Sequence, residues 1–448
     1  MEFFASLKRI FGTHFYSLSK LNVSRSELDR YKEIDPSIPG DKWGDSDAFS
    51  MGELTIYPKR LLGQGTYGSV YYGTINQGSD QPEMEVVVKI TARSLKAPKS
   101  FKEEVYAESI MSVDPHCRHH AVCMYAAFKS KMGFYSHPGF NYLIVYEKMD
   151  GDLSNLFDIL YQSALIPNYT DEDKMQIALY IGVHMSYDLT ATHGAGLIHK
   201  DIKPGNFLYK VDEGNRLRIK LGDYGLACGD LDKLAPPMTN VWTRSFDSDR
   251  TEFLQCGITG TLWYMPREIV EIARQIKSQQ LLVVPQLPLS AHRFADVYAT
   301  ALSFLNCLVY MRLFDEVASE PPHSVPVRKF LLSSGPFSSP RIVALCQKYS
   351  SLALLWEMLE LLIIRTTLDS FASYDTPTEH LLYRFCAAAQ ELKVHPDTIA
   401  DMIFTGMEVE KPAIESFTPP PRTITELQTD IEMVPTVEFF TEHEHGMV

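Results

Sequence analysis

Residues 54–90 carry apolar positions in short β-branched and aromatic runs broken by Gly-rich turns: ELTIYPKRLLGQGTYGSVYYGTI, a polar turn over 77–83, then MEVVVKIT. That pattern predicts strands. Residues 100–113 (SFKEEVYAESIMSV) predict a helix, with Pro98 before it and Asp114-Pro115 ending it. Residues 121–128 and 141–147 again predict strands. Beyond Gly151 the apolar spacing becomes helical over 171–193, 295–310, 341–364, 380–392 and 396–405, with a β-like patch at 207–210 and 217–221. A small β-rich half followed by a larger α-rich half is an α+β, two-lobed layout. The boundaries expected are an N-terminal arm over 1–50, a body over 51–407 divided between 149 and 150, and a tail over 408–448.

Charge sharpens the picture of the ends. The 448 residues include 42 Lys+Arg and 56 Asp+Glu, a formal net charge of −14. Nine acidic against two basic residues fall in 408–448, a stretch with five prolines and little apolar periodicity, so the tail predicts a solvated or partner-binding extension. An acidic total argues against nucleic acid as a partner. The longest apolar stretch, 351–364, contains Glu357 and Glu360 and reads as a buried helix rather than a membrane span. The first residues lack the order of a secretory signal. Seven cysteines scattered singly predict reduced thiols and an intracellular location. His116 to His120 with Cys123 match no usual zinc spacing and read as a polar loop.

Four segments carry candidate chemistry. In Gly63-Gln64-Gly65-Thr66-Tyr67-Gly68, missing Cβ atoms let backbone N–H groups approach an anion. Such a motif is weak alone. Its flanks, Arg60-Leu61-Leu62 and Val70-Tyr71-Tyr72, make it strand–turn–strand, a flap over phosphates rather than the opening of a helix. Lys89 ends the apolar run Val86-Val87-Val88, a costly place for an ammonium without an anionic partner. In Ile198-His199-Lys200-Asp201-Ile202-Lys203-Pro204-Gly205-Asn206, Asp201 can accept a hydroxyl proton, Lys203 can neutralise a phosphoryl group, and Asn206 offers a hard oxygen to Mg²⁺. Asp223, in Gly222-Asp223-Tyr224-Gly225, offers a second.

In order and context these segments resemble the protein-kinase signature set: Gly-rich loop, V-A-I-K lysine, H-R-D catalytic loop and D-F-G. The likeness continues through Gly260-Thr261-Leu262-Trp263-Tyr264-Met265-Pro266-Arg267-Glu268, similar to the A-P-E segment, and covers roughly 54–390. It implies a bilobal protein-kinase fold and a serine/threonine protein kinase using ATP and Mg²⁺ on protein substrates. Gly63, Gly65 and Gly68 would cover the phosphates, with Leu62 and Val70 against the nucleotide. Lys89 would hold the α/β-phosphates and pair with a helix glutamate, Glu104 or Glu108, of which Glu104 is preferred. Neither choice puts an apolar residue four positions on, where the family's internal hydrophobic stack usually has one. The backbone of Glu147 and Met149 would meet adenine behind Tyr146 as a bulky gatekeeper, and Asp152 would reach the ribose. Asp201 would orient and deprotonate the substrate hydroxyl, Thr261 would bond Asp201 and Lys203, and Asn206 and Asp223 would bind Mg²⁺. Asp296 would brace the catalytic loop.

Departures are equally informative. Lys200 replaces the usual arginine, which puts control by loop phosphorylation in doubt, and Tyr224 replaces the D-F-G phenylalanine. The catalytic loop is similar to that of the casein-kinase-1 and vaccinia-related kinase group, and such mosaics occur among divergent protist and large-DNA-virus kinases. Regulatory partners would act through the arm or the tail. The rival reading is a pseudokinase or nucleotide-binding scaffold without turnover.

Overall fold

Strand β4 (Met84–Thr91) shows how the first sheet is specified. Met84, Val86, Val88 and Ile90 are buried while Glu85, Val87 and Lys89 occupy the opposite face, the two-residue period of a pleated strand. A computed structural model describes residues 49–51, 54–65, 68–75, 83–91, most of 103–111, 120–130, 141–212, 214–229, 256–278, 286–366 and 377–404. The expectations for residues 1–48, 77–82, 112–119 and 405–448 lie outside the described residues, as does the span 230–255.

The chain divides into two compact units between Met149 and Asp150. The first holds a six-stranded antiparallel sheet of β1 (Phe49–Met51), β2 (Leu54–Gly65), β3 (Gly68–Ile75), β4, β5 (Met124–Ser130) and β6 (Asn141–Glu147), in the order β1-β2-β3-β4-β6-β5. β2 and β3 pair up to Gly65↔Gly68, so the Gly-rich segment is the end of a hairpin and leads into a strand. Residues described within 103–111 are helical, with Glu104, Val105, Ala107, Glu108, Ile110 and Met111 buried.

The second unit is mainly helical. Its helices are α1 (Leu153–Gln162), α2 (Asp171–Gly194), α3 (Arg267–Lys277), α4 (Leu289–Tyr310), α5 (Val325–Leu331), α6 (Gly335–Ser338), α7 (Pro340–Lys348), α8 (Ser350–Glu360), α9 (Pro377–Glu391) and α10 (Pro396–Phe404). Thr170 starts α2 with a reciprocal capping box to Asp173, which satisfies two otherwise orphaned N–H groups. α2 and α4 are buried along most of their length and form the centre, with α9 packed on both. Gly182 makes that approach possible: a Cβ there would lie 2.4 Å from the Phe385 ring and 3.0 Å from Phe304, two fully buried rings already packed edge to face at 4.7 Å. Short strands β7 (Gly151–Asp152), β9 (Phe207–Val211) and β10 (Leu217–Leu221) form one small sheet, and β8 (Leu197–Ile198) pairs with β11 (Cys228–Gly229).

Two expectations need correction. The helix expected over 341–364 is α7 and α8, separated at Tyr349, whose extended backbone (φ −123°, ψ 106°) interrupts the helical hydrogen bonds, followed by a π-helical turn over Leu361–Arg365. The cysteines are not all thiols: Cys228 and Cys256 form a disulfide, 28 residues apart in sequence. Spacing gave no sign of it, because the tertiary fold brings the two ends of that segment together. Among the described residues, Cys307, Cys346 and Cys386 are not in a disulfide.

Candidate active site

The second unit builds its site on Asp201. Both oxygens of this buried carboxylate are held. Oδ1 accepts from the Thr261 N–H at 2.9 Å and the Thr261 hydroxyl at 2.7 Å. Oδ2 accepts from Lys203 Nζ at 2.7 Å and Asn206 Nδ2 at 3.1 Å. Lys203 Nζ also reaches Thr261 Oγ1 at 3.1 Å, so lysine, threonine and aspartate close a ring. Lys203 and Asn206 are close in sequence, but Thr261 lies 60 positions away and meets Asp201 because of Gly260. Its φ is +123°, and a Cβ would fall 2.2 Å from the Lys200 carbonyl oxygen. Only glycine fits both conditions.

The loop carrying Asp201 is fixed from behind. Asp296, at 1% exposure on α4, accepts from the backbone N–H groups of His199 at 2.7 Å and Lys200 at 2.8 Å, and from His193 Nε2 at 3.0 Å. These bonds hold Lys200 in the left-handed region at φ 68°, where a non-glycine residue needs its surroundings to impose the conformation. His199 Nε2 lies 3.0 Å from the Gly222 carbonyl, which can only accept, so the proton sits on Nε2 and Nδ1 accepts the Asp201 N–H at 3.3 Å. Sequence gave no signal for His193 as a partner of Asp296.

Asn206 and Asp223 are brought to one end of a hairpin. β9 and β10 pair up to Phe207↔Leu221, and the next residue out, Gly222, donates its N–H to the Asn206 carbonyl at 2.9 Å. Asn206 Nδ2 donates to the Asp201 carbonyl at 2.7 Å as well as to its carboxylate. Its amide oxygen is thereby the donor atom left for a hard cation. Asp223 is exposed and also has a positive φ of 60°. One amide oxygen and one carboxylate fit the sparse protein ligation of Mg²⁺, which keeps waters and phosphate oxygens as its other ligands. Tyr224 is fully buried. Its ring packs on His199 at 4.8 Å and its hydroxyl meets Thr192 Oγ1 at 2.9 Å, so the extra oxygen relative to phenylalanine has a partner.

Asp152 has a structural role at the start of the second unit. It is the N-cap of α1: Oδ1 accepts the Asn155 N–H at 2.9 Å. Burial raises its carboxyl above the usual range, while the Asn155 and Ser154 N–H groups pull it down.

The first unit builds a second cluster around Lys89. Its ammonium lies 2.6 Å from Glu104 Oε1, with side-chain exposures of 13% and 3%. Glu108, one helical turn on and fully buried, has its Oε1 3.4 Å from the Tyr146 hydroxyl; Glu104 Oε1 lies 3.0 Å from the same hydroxyl. The Lys89 partner in this structure is thus Glu104. Leu62 and Leu61 are about 40% exposed on β2, and a Cβ at Gly63 would meet nothing within 4 Å, so this strand is open to a ligand. At the end of β6 the Glu147 N–H is occupied by the Cys123 carbonyl at 2.9 Å, and its side chain accepts the Cys123 N–H at 2.7 Å. Glu147 is thereby tied to Cys123, the residue before β5, through both its N–H and its side chain.

Comparison with known proteins follows the same residues. The protein kinase domain pattern matches residues 57–283. Serine/threonine-protein kinase GG21441 of Drosophila erecta is 26% identical over 171 residues, 38% of this chain and 20% of that protein. Serine/threonine-protein kinase CG17528 of Drosophila melanogaster is 37% identical over 89 residues, 20% of this chain and 11% of that protein. Ribosomal protein S6 kinase alpha-2 of Mus musculus is 26% identical over 257 residues, 52% of this chain and 31% of that protein. The chain spans about a fifth of the length of the first of these relatives. No described helix is long and apolar enough to cross a membrane. With the pattern covering just over half of its 448 residues, and with the α+β architecture above, this chain belongs to the protein kinase domain family.

Proposed function

We propose that this chain is a protein serine/threonine kinase that transfers the γ-phosphoryl group of ATP to a protein hydroxyl. The observation that carries this reading is the Asp201 carboxylate held by Thr261, Lys203 and Asn206. The attacking hydroxyl oxygen forms a bond to the γ-phosphorus while the bond from that phosphorus to the β–γ bridging oxygen breaks, leaving ADP. The hydroxyl proton passes to Asp201, whose two oxygens are already oriented. Lys203, with its side chain 30% exposed and its ammonium held by Asp201 and Thr261, brings positive charge to the transferring group. Lys89 holds the α/β-phosphates, and Glu104 keeps the ammonium in place. The Glu147 carbonyl and Met149 N–H hold adenine. Asn206 and Asp223 hold Mg²⁺, which supplies positive charge to the phosphates.

Lys203 bridging Asp201 and Thr261 favours serine and threonine as acceptors, in keeping with the names of the relatives. The scaffold reading has no specific observation in its favour, since every group the chemistry needs is present. Incubating the purified full chain with Mg-ATP labelled at the γ-phosphate and a generic basic protein tests the proposal. Labelled phosphoserine or phosphothreonine is expected, falling at least ~1000-fold in Asp201→Asn, a loss of about 4 kcal/mol in transition-state stabilisation. An inactive wild type that still binds ATP would overturn it.

A further inference from the structure

The register of β4 against β6 sets up a contact that neither the family pattern nor the sequence assigns. Lys89 lies opposite Ile144, and Val87 lies opposite Tyr146. Directly opposed residues share a face, and so do positions two apart, so the Lys89 and Tyr146 side chains project from the same side of the sheet as diagonal neighbours. Glu104 and Glu108, four residues apart, occupy one face of their helix. Two polar groups, the Lys89 ammonium and the Tyr146 hydroxyl, therefore converge on Glu104 and its neighbour. Glu104 Oε1 receives Lys89 Nζ at 2.6 Å and the Tyr146 hydroxyl at 3.0 Å.

The geometry points to Tyr146 as a positioning residue, whose hydroxyl holds the Glu104 oxygen that pairs with Lys89. A hydroxyl has one proton to give, and 3.0 Å is within normal bonding range whereas the 3.4 Å to Glu108 is long, so the proton goes to Glu104. Tyrosine suits this task because its oxygen stands on a rigid ring anchored in the sheet. Glu104 instead swings on a flexible side chain beside a second carboxylate. A fixed neutral donor resists the displacement of Glu104 without adding charge. Tyr146 thus deepens the kinase reading by linking the residue at the back of the nucleotide site to the geometry of the lysine.

The experiment uses the full-length chain and two readouts. In the first, Lys89 acylation by a dilute amine-reactive reagent is followed by mass spectrometry, which requires no turnover. Tyr146→Phe keeps the ring and removes only the oxygen; Lys89 is expected to label about tenfold faster, the effect of losing one hydrogen bond to a charged group. In Glu104→Gln, Lys89 also labels fast, and adding Tyr146→Phe is expected to change it less than twofold, because the tyrosine acts through Glu104. In the second readout, Tyr146→Phe lowers kcat for phosphoryl transfer about tenfold with a smaller change in KM for ATP. Wild-type labelling in Tyr146→Phe, or full multiplicative effects in the double variant, overturns the proposal. An inactive wild type with the labelling cycle intact would sink the kinase reading and leave the tyrosine's role standing.

Discussion

At the scale of single residues, Gly260 decides whether the ring of Asp201, Lys203 and Thr261 exists. Its backbone sits at φ +123° against the Lys200 carbonyl, and the next residue supplies two of the four bonds to Asp201. Gly260→Ala must push the Lys200 carbonyl or the Thr261 backbone aside. Its kcat is expected to fall ~100-fold or more, as displacing a positioned group by about an ångström does, while KM for ATP changes little; a kcat within threefold of wild type would refute the assignment. Glu108 illustrates a different residue-scale point. It stands four positions after Glu104, where related kinases usually have an apolar residue, and Tyr146 brings a hydroxyl to within 3.4 Å of it. The departure at Glu108 and the bulky Tyr146 are thus neighbours in space.

Among elements, the Cys228–Cys256 disulfide has the widest reach. Cys228 lies in β11 opposite Ile198, immediately before His199, and Cys256 leads into Gly260 and Thr261. The bond therefore joins two stretches that flank the Asp201 ring. Closing 28 residues of sequence separation contributes about 3–4 kcal/mol in the loop-entropy picture. Under non-reducing conditions, peptide mapping should recover a Cys228–Cys256 cross-linked peptide, and Cys228→Ser should lower the free energy of unfolding by about that amount. Equal stability of variant and oxidised wild type would exclude a structural role. The helices show a parallel dependence on packing: α2 is capped by local chemistry at Thr170, but its seat against α9 is set by the bare Gly182.

For the whole molecule, buried histidines give the folded state a defined acid weakness. Burial lowers His292 to about 4, with the nearby Lys200 charge acting in the same direction and Asp296 opposing it. The unfolded chain takes that proton near pH 6.5, so stability falls by about 1.4 kcal/mol per pH unit as pH drops from about 6.5 to about 4. Buried Asp188, held well above the usual carboxylate range, pulls the other way, since the folded state keeps its proton and gains stability toward acid. The comparison of wild type with His292→Gln cancels Asp188. Urea unfolding at pH 7.5 and 5.5 should show the stability difference between the two proteins shifting by about 1.4 kcal/mol in favour of the glutamine variant at the lower pH. A constant difference would show that His292 titrates normally.

The sequence determined the α+β order of elements, the hairpin nature of the Gly-rich segment, and the identities of Asp201, Lys203, Asn206 and Asp223 as candidate chemistry. These were legible because each depends on local pattern: the two-residue period of β4, apolar residues on both sides of the glycines, and polar residues grouped between apolar flanks. Tertiary structure alone decided which glutamate meets Lys89, that the Glu147 N–H is already occupied by Cys123, that Asp152 caps α1, and that two isolated cysteines are bonded. Each of these depends on distances between residues far apart in sequence, and those are set by strand register and by packing in the core rather than by neighbouring residue types.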